Sequence, residues 1–343
     1  MTIFRIKNIF IIFILFSFLI SFTSCSSISS FFSSISPTRL FSSSKTGKED
    51  VFRGKAQEKA YRWTTPLPGP AMKAKKALKK LPPLPGSHLK KKILVVNFET
   101  DFTASKMHLG EICSKKLIYN LNKSGKAICF SPEMFFDYLN RSKISALMIS
   151  KKENIKKLYK DLGIHLVITG KVEGVETKKI RKGTSTTTST VATAWLTIRV
   201  IDSTTGNIVS IFTQQNPFFL TMEKGEFPDE KAILNAIDYS IEEVIPDIIN
   251  EFDQIPWFAF IVKIEKGHLY INAGRKTGLK QGDILSVYKE GKEIVHPITG
   301  VSIGREEGTY KGKIRLTGFV GEDGAVCVRY SGKGFALNDI VRY

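Results

Sequence analysis

An α+β fold is what this sequence predicts: an α/β sandwich domain followed by a small all-β barrel-like domain. Three observations carry that expectation. Ile93-Leu94-Val95-Val96-Asn97-Phe98 is a near-continuous apolar, β-branched run, as a strand buried on both faces requires. Leu109, Ile112, Cys113 and Leu117 then recur at helical spacing, so strand and helix alternate. Beyond Pro256, short alternating segments are separated by Gly267, Gly274, Gly278, Gly282, Gly291, Gly300, Gly304 and Gly312. Turns this close together describe a closed or nearly closed β barrel.

The chain opens with Arg5 and Lys7, runs through apolar Ile9 to Phe22, and reaches Thr23-Ser24-Cys25. A basic end, a short apolar run and small residues make a secretory signal over residues 1–24. The run is shorter than the ~20 residues that span a bilayer. Residues 25–91 read as a disordered tether. Ser26 to Ser44 is serine-rich, and Pro66, Pro68, Pro70, Pro82, Pro83 and Pro85 follow among charges. Such sequence cannot bury a core and behaves as an extended spacer. A short helix from Ala71 to Leu81 is expected to interrupt it.

The α/β domain spans residues 92–253. After the first strand and helix, Ala127 to Phe130 reads as a strand. Ser131-Pro132 opens a helix, with serine as N-cap and proline at the first helical position. Ser150 and Glu153 form a capping box, and Gly163 ends that helix. Strands follow at Leu166 to Glu176, Val191 to Asp202 and Ile208 to Gln215, the last two joined by the tight turn Ser203 to Asn207. Asp202 is expected to act as an acceptor within that turn. A long helix, Asp229 to about Phe252, closes the domain, with a kink at Pro246. The β domain, residues 254–343, opens with Phe258, Phe260, Val262 and Ile264, which alternate as the buried face of a strand. Gly282-Asp283 is a turn feeding the next strand.

The chain has 343 residues and 51 Lys+Arg against 32 Asp+Glu, a net charge of +19. The excess is clustered at Lys73 to Lys80, at Lys90 to Lys92, along the helix carrying Lys151, Lys152, Lys156, Lys157 and Lys160, and in a loop with Lys178, Lys179, Arg181 and Lys182. Such clusters suit anionic lipid, lipopolysaccharide or wall polymer. On the helix they read as a solvated face, and an exported chain excludes nucleic acid. Of four cysteines, Cys113, Cys129 and Cys327 remain once Cys25 is set aside. An odd number is no disulfide framework, so buried free thiols are expected, with a Cys113–Cys129 pair as the alternative. His88, His108, His165, His268 and His296 are scattered without metal-ligand spacing. Glu99 and Asp101, at a strand end where α/β sheets often bind ligands, read as a solvated loop. No catalytic residue, cofactor site or metal site emerges.

Phe22-Thr23-Ser24-Cys25 resembles the lipobox of bacterial lipoproteins. The resemblance implies cleavage before Cys25 and its acylation, palmitate being one such chain, with Ser26 favouring the outer membrane. Val95-Val96-Asn97-Phe98, Leu162 to Gly170 and Val200 to Val209 together resemble the CsgG-like family of curli-secretion and penicillin-binding-protein-activator lipoproteins. Ile271 to Gly274, Gly278 to Asp283, Val287-Tyr288 and His296 to Gly300 with Ile303-Gly304 resemble the C-terminal β domain of the flagellar assembly protein FlgT. These resemblances imply a non-enzymatic, periplasm-facing envelope lipoprotein. It would be an accessory protein for a secretion, cell-wall or flagellar machine, anchored to a membrane and contacting an unnamed envelope protein, with homo-oligomerisation open. An oligomeric outer-membrane export channel is the alternative and a hydrolase a distant one. A channel needs membrane strands of about 9–11 residues with alternating apolar side chains. Thr177 to Ser189 is polar and basic, and Asn216 to Pro228 is too short for two strands.

Overall fold

A computed structural model describes residues 84–100, 107–181, 188–217, 222–224 and 227–343. Cys25 and the run before it, the tether through 83 with its expected helix, Asp101, Lys182 and Phe218-Phe219-Leu220 lie outside the described residues. The described residues fall in one compact unit, Lys80–Tyr343.

The first module is a mixed six-stranded sheet. Strand β1 (Lys91–Val95) pairs in parallel with β3 (Ala127–Phe130) and β4 (Leu166–Arg181). The short β2 (Glu99–Thr100) also pairs with β4, so Glu99 stands in a strand rather than the expected loop. Antiparallel to β4 runs β5 (Thr188–Asp202), and β6 (Ile208–Gln215) completes the order β3-β1-β4-β5-β6. Helices α1 (Leu109–Lys123) and α4 (Pro228–Gln254) cover one face. Their apolar stripes, Leu109, Cys113, Leu117 and Leu121 with Ile233, Ile237, Val244 and Phe252, meet Ile93, Val95, Ile168, Leu196 and Ile198. Opposite, α2 (Phe136–Arg141) and α3 (Lys152–Leu162) cover only the end at Leu94, Val167 and Ile201. The alternation along each strand sets which layer it feeds.

Several local expectations change. Ser131 makes no side-chain cap, and Pro132–Phe135 is a 3-10 turn ahead of α2. The Ser150–Glu153 box does not form: fully buried Ile149 holds the entry, and Lys151 takes the N-cap position. Gly163 does end α3, at φ +69°. Pro246 sits inside α4, where it removes one helical N–H. The largest difference is in β4 and β5, which continue as a ladder to Arg181↔Thr188. Lys178, Lys179 and Arg181 are therefore strand residues, not loop residues. Thr190 ties the far end down, bridging to Glu223 and donating to Asp229 Oδ1 at 2.7 Å.

The second module is a closed barrel. Its strands are β7 (Ala259–Glu265), β8 (His268–Ile271), β9 (Ile284–Tyr288), β12 (Tyr310–Val320), β13 (Gly324–Gly332) and β14 (Ile340–Arg342). They close in the order β12-β13-β8-β7-β14-β9, which removes the open sheet edges. Trp257, Ala259, Ile261, Leu285, Val287, Ile314, Leu316 and Cys327 fill it. Leu89 joins them, and Lys90 N–H donates to Thr277 O at 2.9 Å, so the end of the expected tether is packed. The expected buried face of β7 is half right: Phe258 and Phe260 are buried, but Val262 and Ile264 are exposed, and it is Ala259 and Ile261 that point into the barrel. Outside the barrel, β10 (Glu293–Val295) and β11 (Ser302–Arg305) form a separate hairpin.

Candidate functional site

Phe258 and Phe260 point away from the barrel because the neighbouring positions fill it. They meet Tyr159 of α3 and Ile340 of β14 in a small buried cluster. Ring centroids of Tyr159 lie 5.0 Å from Phe258 and 5.2 Å from Phe260, both edge-on. This geometry adds to the area buried.

His165 is the polar centre of that joint. It follows Gly163-Ile164 and precedes β4, and it is fully buried. Its ring stacks on Phe258 at 4.1 Å. Nδ1 lies 3.2 Å from Lys92 N and Nε2 lies 3.2 Å from Phe258 N. A neutral imidazole has one acceptor nitrogen, so it accepts from one of these N–H groups at a time. Burial, then the charges of Lys91 and Lys92, hold its pKa well below the ordinary value. The backbone locks in around it: His165 N donates to Lys92 O at 2.8 Å, and Ser203 Oγ donates to His165 O at 2.8 Å.

Lys92 crosses the same joint. Its Nζ lies 3.2 Å from Asp323 Oδ2 and donates to Asn272 O. Burial lowers its pKa, and Asp323 opposes the shift. Asn272 Oδ1 accepts from Phe260 N at 2.8 Å, and Asp323 Oδ1 accepts from Gly274 N and Thr277 N. Lys91 is also buried, which pulls its ammonium down to about 8 against the attraction of Asp253. A third layer of contacts comes from α3. Lys156 pairs with Glu293 at 2.5 Å and Lys160 with Glu290 at 3.9 Å across the joint, while Lys152 Nζ stays within the first module, donating to Asn207 Oδ1 at 3.3 Å. The α3 lysines, expected to be a solvated face, thus partly face the second module.

Two surfaces contrast with this joint. The β10–β11 hairpin exposes Ile294, Val295, Ile298, Val301 and Ile303, with Ile298 at 89%. Its turn is held by His296 Nδ1, which accepts from Ile298 N and Thr299 N. On β4, everything from Glu176 to Arg181 is exposed, and no described strand pairs with the outer edge of that stretch.

Asp202 accepts from Thr204 N, Thr204 Oγ1 and Thr205 Oγ1, as expected of a turn acceptor. Cys113, Cys129 and Cys327 are buried free thiols, and burial pushes each up to about 12. Among the described residues, no three His, Cys, Asp or Glu side chains are grouped to hold a metal, and no helix is long and apolar enough to cross a membrane. Nothing in the sequence assigns His165 or Asn272 to a joint between modules. The available signal was one histidine inside the apolar run Ile164 to Ile168.

No protein-family model matches the chain, and no curated protein matches it. Solved structures overlap part of it. The lipoprotein GNA1162 from Neisseria meningitidis is similar at 15% identity and TM-score 0.29, over 48% of this chain and 99% of that one. The PelC dodecamer from Paraburkholderia phytofirmans is similar at 13% identity and TM-score 0.25, over 47% and 91%. The LpoB C-terminal domain from Salmonella enterica is similar at 14% identity and TM-score 0.25, over 37% and 83%.

Proposed function

We propose that this protein is a bacterial envelope lipoprotein, anchored through Cys25, that works by protein contact as an accessory of a secretion, cell-wall or flagellar machine. The observation that carries this reading is the apolar run Ile9 to Phe22 ending at Ser24-Cys25. Two or more acyl chains hold a chain on a membrane, because each buried methylene adds about 0.8 kcal/mol. The proline- and lysine-rich residues that follow stand the packed modules off the bilayer, facing the periplasm from the outer membrane. The CsgG-like and FlgT-like readings of the two modules belong to this proposal.

The β10–β11 hairpin supports contact with a protein partner. Five exposed aliphatic side chains on thirteen residues form the kind of apolar patch that marks interaction sites. The export-channel reading is weaker. Successive strand side chains face opposite sides, so its membrane hairpin would place either Lys178 or both Lys179 and Arg181 against lipid, at about 2–4 kcal/mol each near the midplane.

The test is Cys25→Ala in the native envelope. Release from the membrane fraction and loss of fatty-acyl labelling are expected. A variant that is processed, labelled and fractionated like wild type contradicts the anchor. A photo-crosslinker at Ile298 is expected to trap a discrete envelope protein. Reconstitution of the lipidated chain into planar bilayers is expected to give no conductance steps.

A further inference from the structure

Between the two modules lies a cleft of about 200 Å³. Tyr159 and Phe258 wall it from the joint, Tyr288 from the barrel, and Lys289, Arg305 and Arg342 bring three cations to it. The volume falls below the ~300–1,000 Å³ of sites for drug-sized ligands, so it suits a small group.

Its charges are uneven in how far they are satisfied. Of the acids lining it, Asp202 is occupied by its own turn. Glu306 is exposed. Arg305 pairs through Nη1 with Glu290 at 2.8 Å and donates to Gly291 O at 3.2 Å. Its Nε is buried and has no hydrogen-bond partner. Arg342 makes no ion pair among the described residues; its guanidinium lies 5.3 Å from the Tyr288 ring centroid. Arg305 lies likewise 5.4 Å from Tyr159. Arg305 Nη1 is already engaged, whereas Arg342 is held against a ring without an ion pair, the arrangement that takes an oxyanion through two parallel bonds.

We propose that this cleft binds a small oxyanion-bearing group, a carboxylate or phosphate monoester on a short planar or apolar body. Arg342 and Lys289 take the charge, the Arg305 Nε–H supplies a buried donor, and the Tyr159, Phe258 and Tyr288 rings hold the body. Because the lining comes from both modules, such a ligand also reports whether they are docked.

The experiment is calorimetric titration of the detergent-solubilised full chain with phenyl phosphate, benzoate, inorganic phosphate and benzylamine. Saturable one-to-one binding of an aryl oxyanion is expected, with benzylamine silent. Phenyl phosphate above benzoate assigns a phosphate ligand, and the reverse assigns a carboxylate. Arg342→Ala and, separately, Lys289→Ala at the exposed rim should weaken binding by about tenfold or more. The double variant Lys178→Ala/Lys179→Ala should bind as wild type. Near-UV circular dichroism checks that each variant is folded. Absence of saturable binding at millimolar probe, equal binding of benzylamine, or equal weakening by the β4 lysine variant overturns the proposal.

Discussion

Lys92 at the joint and Lys178 and Lys179 at the far end of β4 are the same side chain in opposite settings. The Lys92 side chain is 11% exposed and bonded to Asp323 and Asn272. Lys178 and Lys179 stand in solvent on a strand edge. At the joint a lysine is costly to bury and useful only while its partners stay in place. On the edge it needs no partner, and its charge discourages pairing with another strand. Lysine counts therefore say little about function until burial is known.

Substitutions sharpen this contrast, beginning with the largest effect. Phe260→Ala empties the ring packed on Tyr159 and should cost about 3–5 kcal/mol in denaturant unfolding. Lys92→Ala leaves Asp323 with an uncompensated charge and should cost a similar ~3–5 kcal/mol. Lys92→Met with Asp323→Asn should recover part of that loss, because Asn can still accept from Gly274 and Thr277.

Acid should loosen the joint next. The folded chain holds His165 neutral, with a pKa well below 6.5, and the unfolded chain does not. The unfolded state then binds more protons below about pH 6.5, so stability is full above that pH and declines as pH falls toward the folded pKa. The slope is up to about 1.4 kcal/mol per pH unit for this group. Unfolding free energies measured at stepped pH should show it, and His165→Asn should flatten it.

Gly163→Ala comes third. The residue has φ +69°, and an added Cβ would lie 2.6 Å from Asn272 Nδ2, so a loss above about 1 kcal/mol is expected. Smallest is Lys178→Ala/Lys179→Ala, which should change stability by no more than about 0.5 kcal/mol. A loss there comparable with that of Lys92→Ala breaks the comparison.

Much of the fold was legible because it rests on local period. The spacing of Leu109, Cys113 and Leu117, the run at Ile93, and the Asp202 to Asn207 turn each act within one element. The joint was not legible, since it depends on which face of β7 turns inward. Phe258-Ala259-Phe260-Ile261 is apolar at every position, so alternation alone cannot say that Ala259 and Ile261 fill the barrel while the two phenylalanines face α3. The extension of β4 through Lys178 to Arg181 was hidden for a related reason. Exposed strand edges favour charge, and charge reads as loop. Cap chemistry failed at Ser131 and Ser150 because neighbouring burial, not side-chain bonding, sets those helix starts. Cys25 was legible because it closes the apolar run Ile9 to Phe22.

The sheet module and the barrel, one compact unit held at the His165 joint, are expected to unfold as one body. Calorimetric unfolding of the detergent-solubilised full chain tests it most directly. A single cooperative transition is predicted for wild type, separating into two in Phe260→Ala. Two resolved transitions in wild type, unchanged by Phe260→Ala, would contradict it.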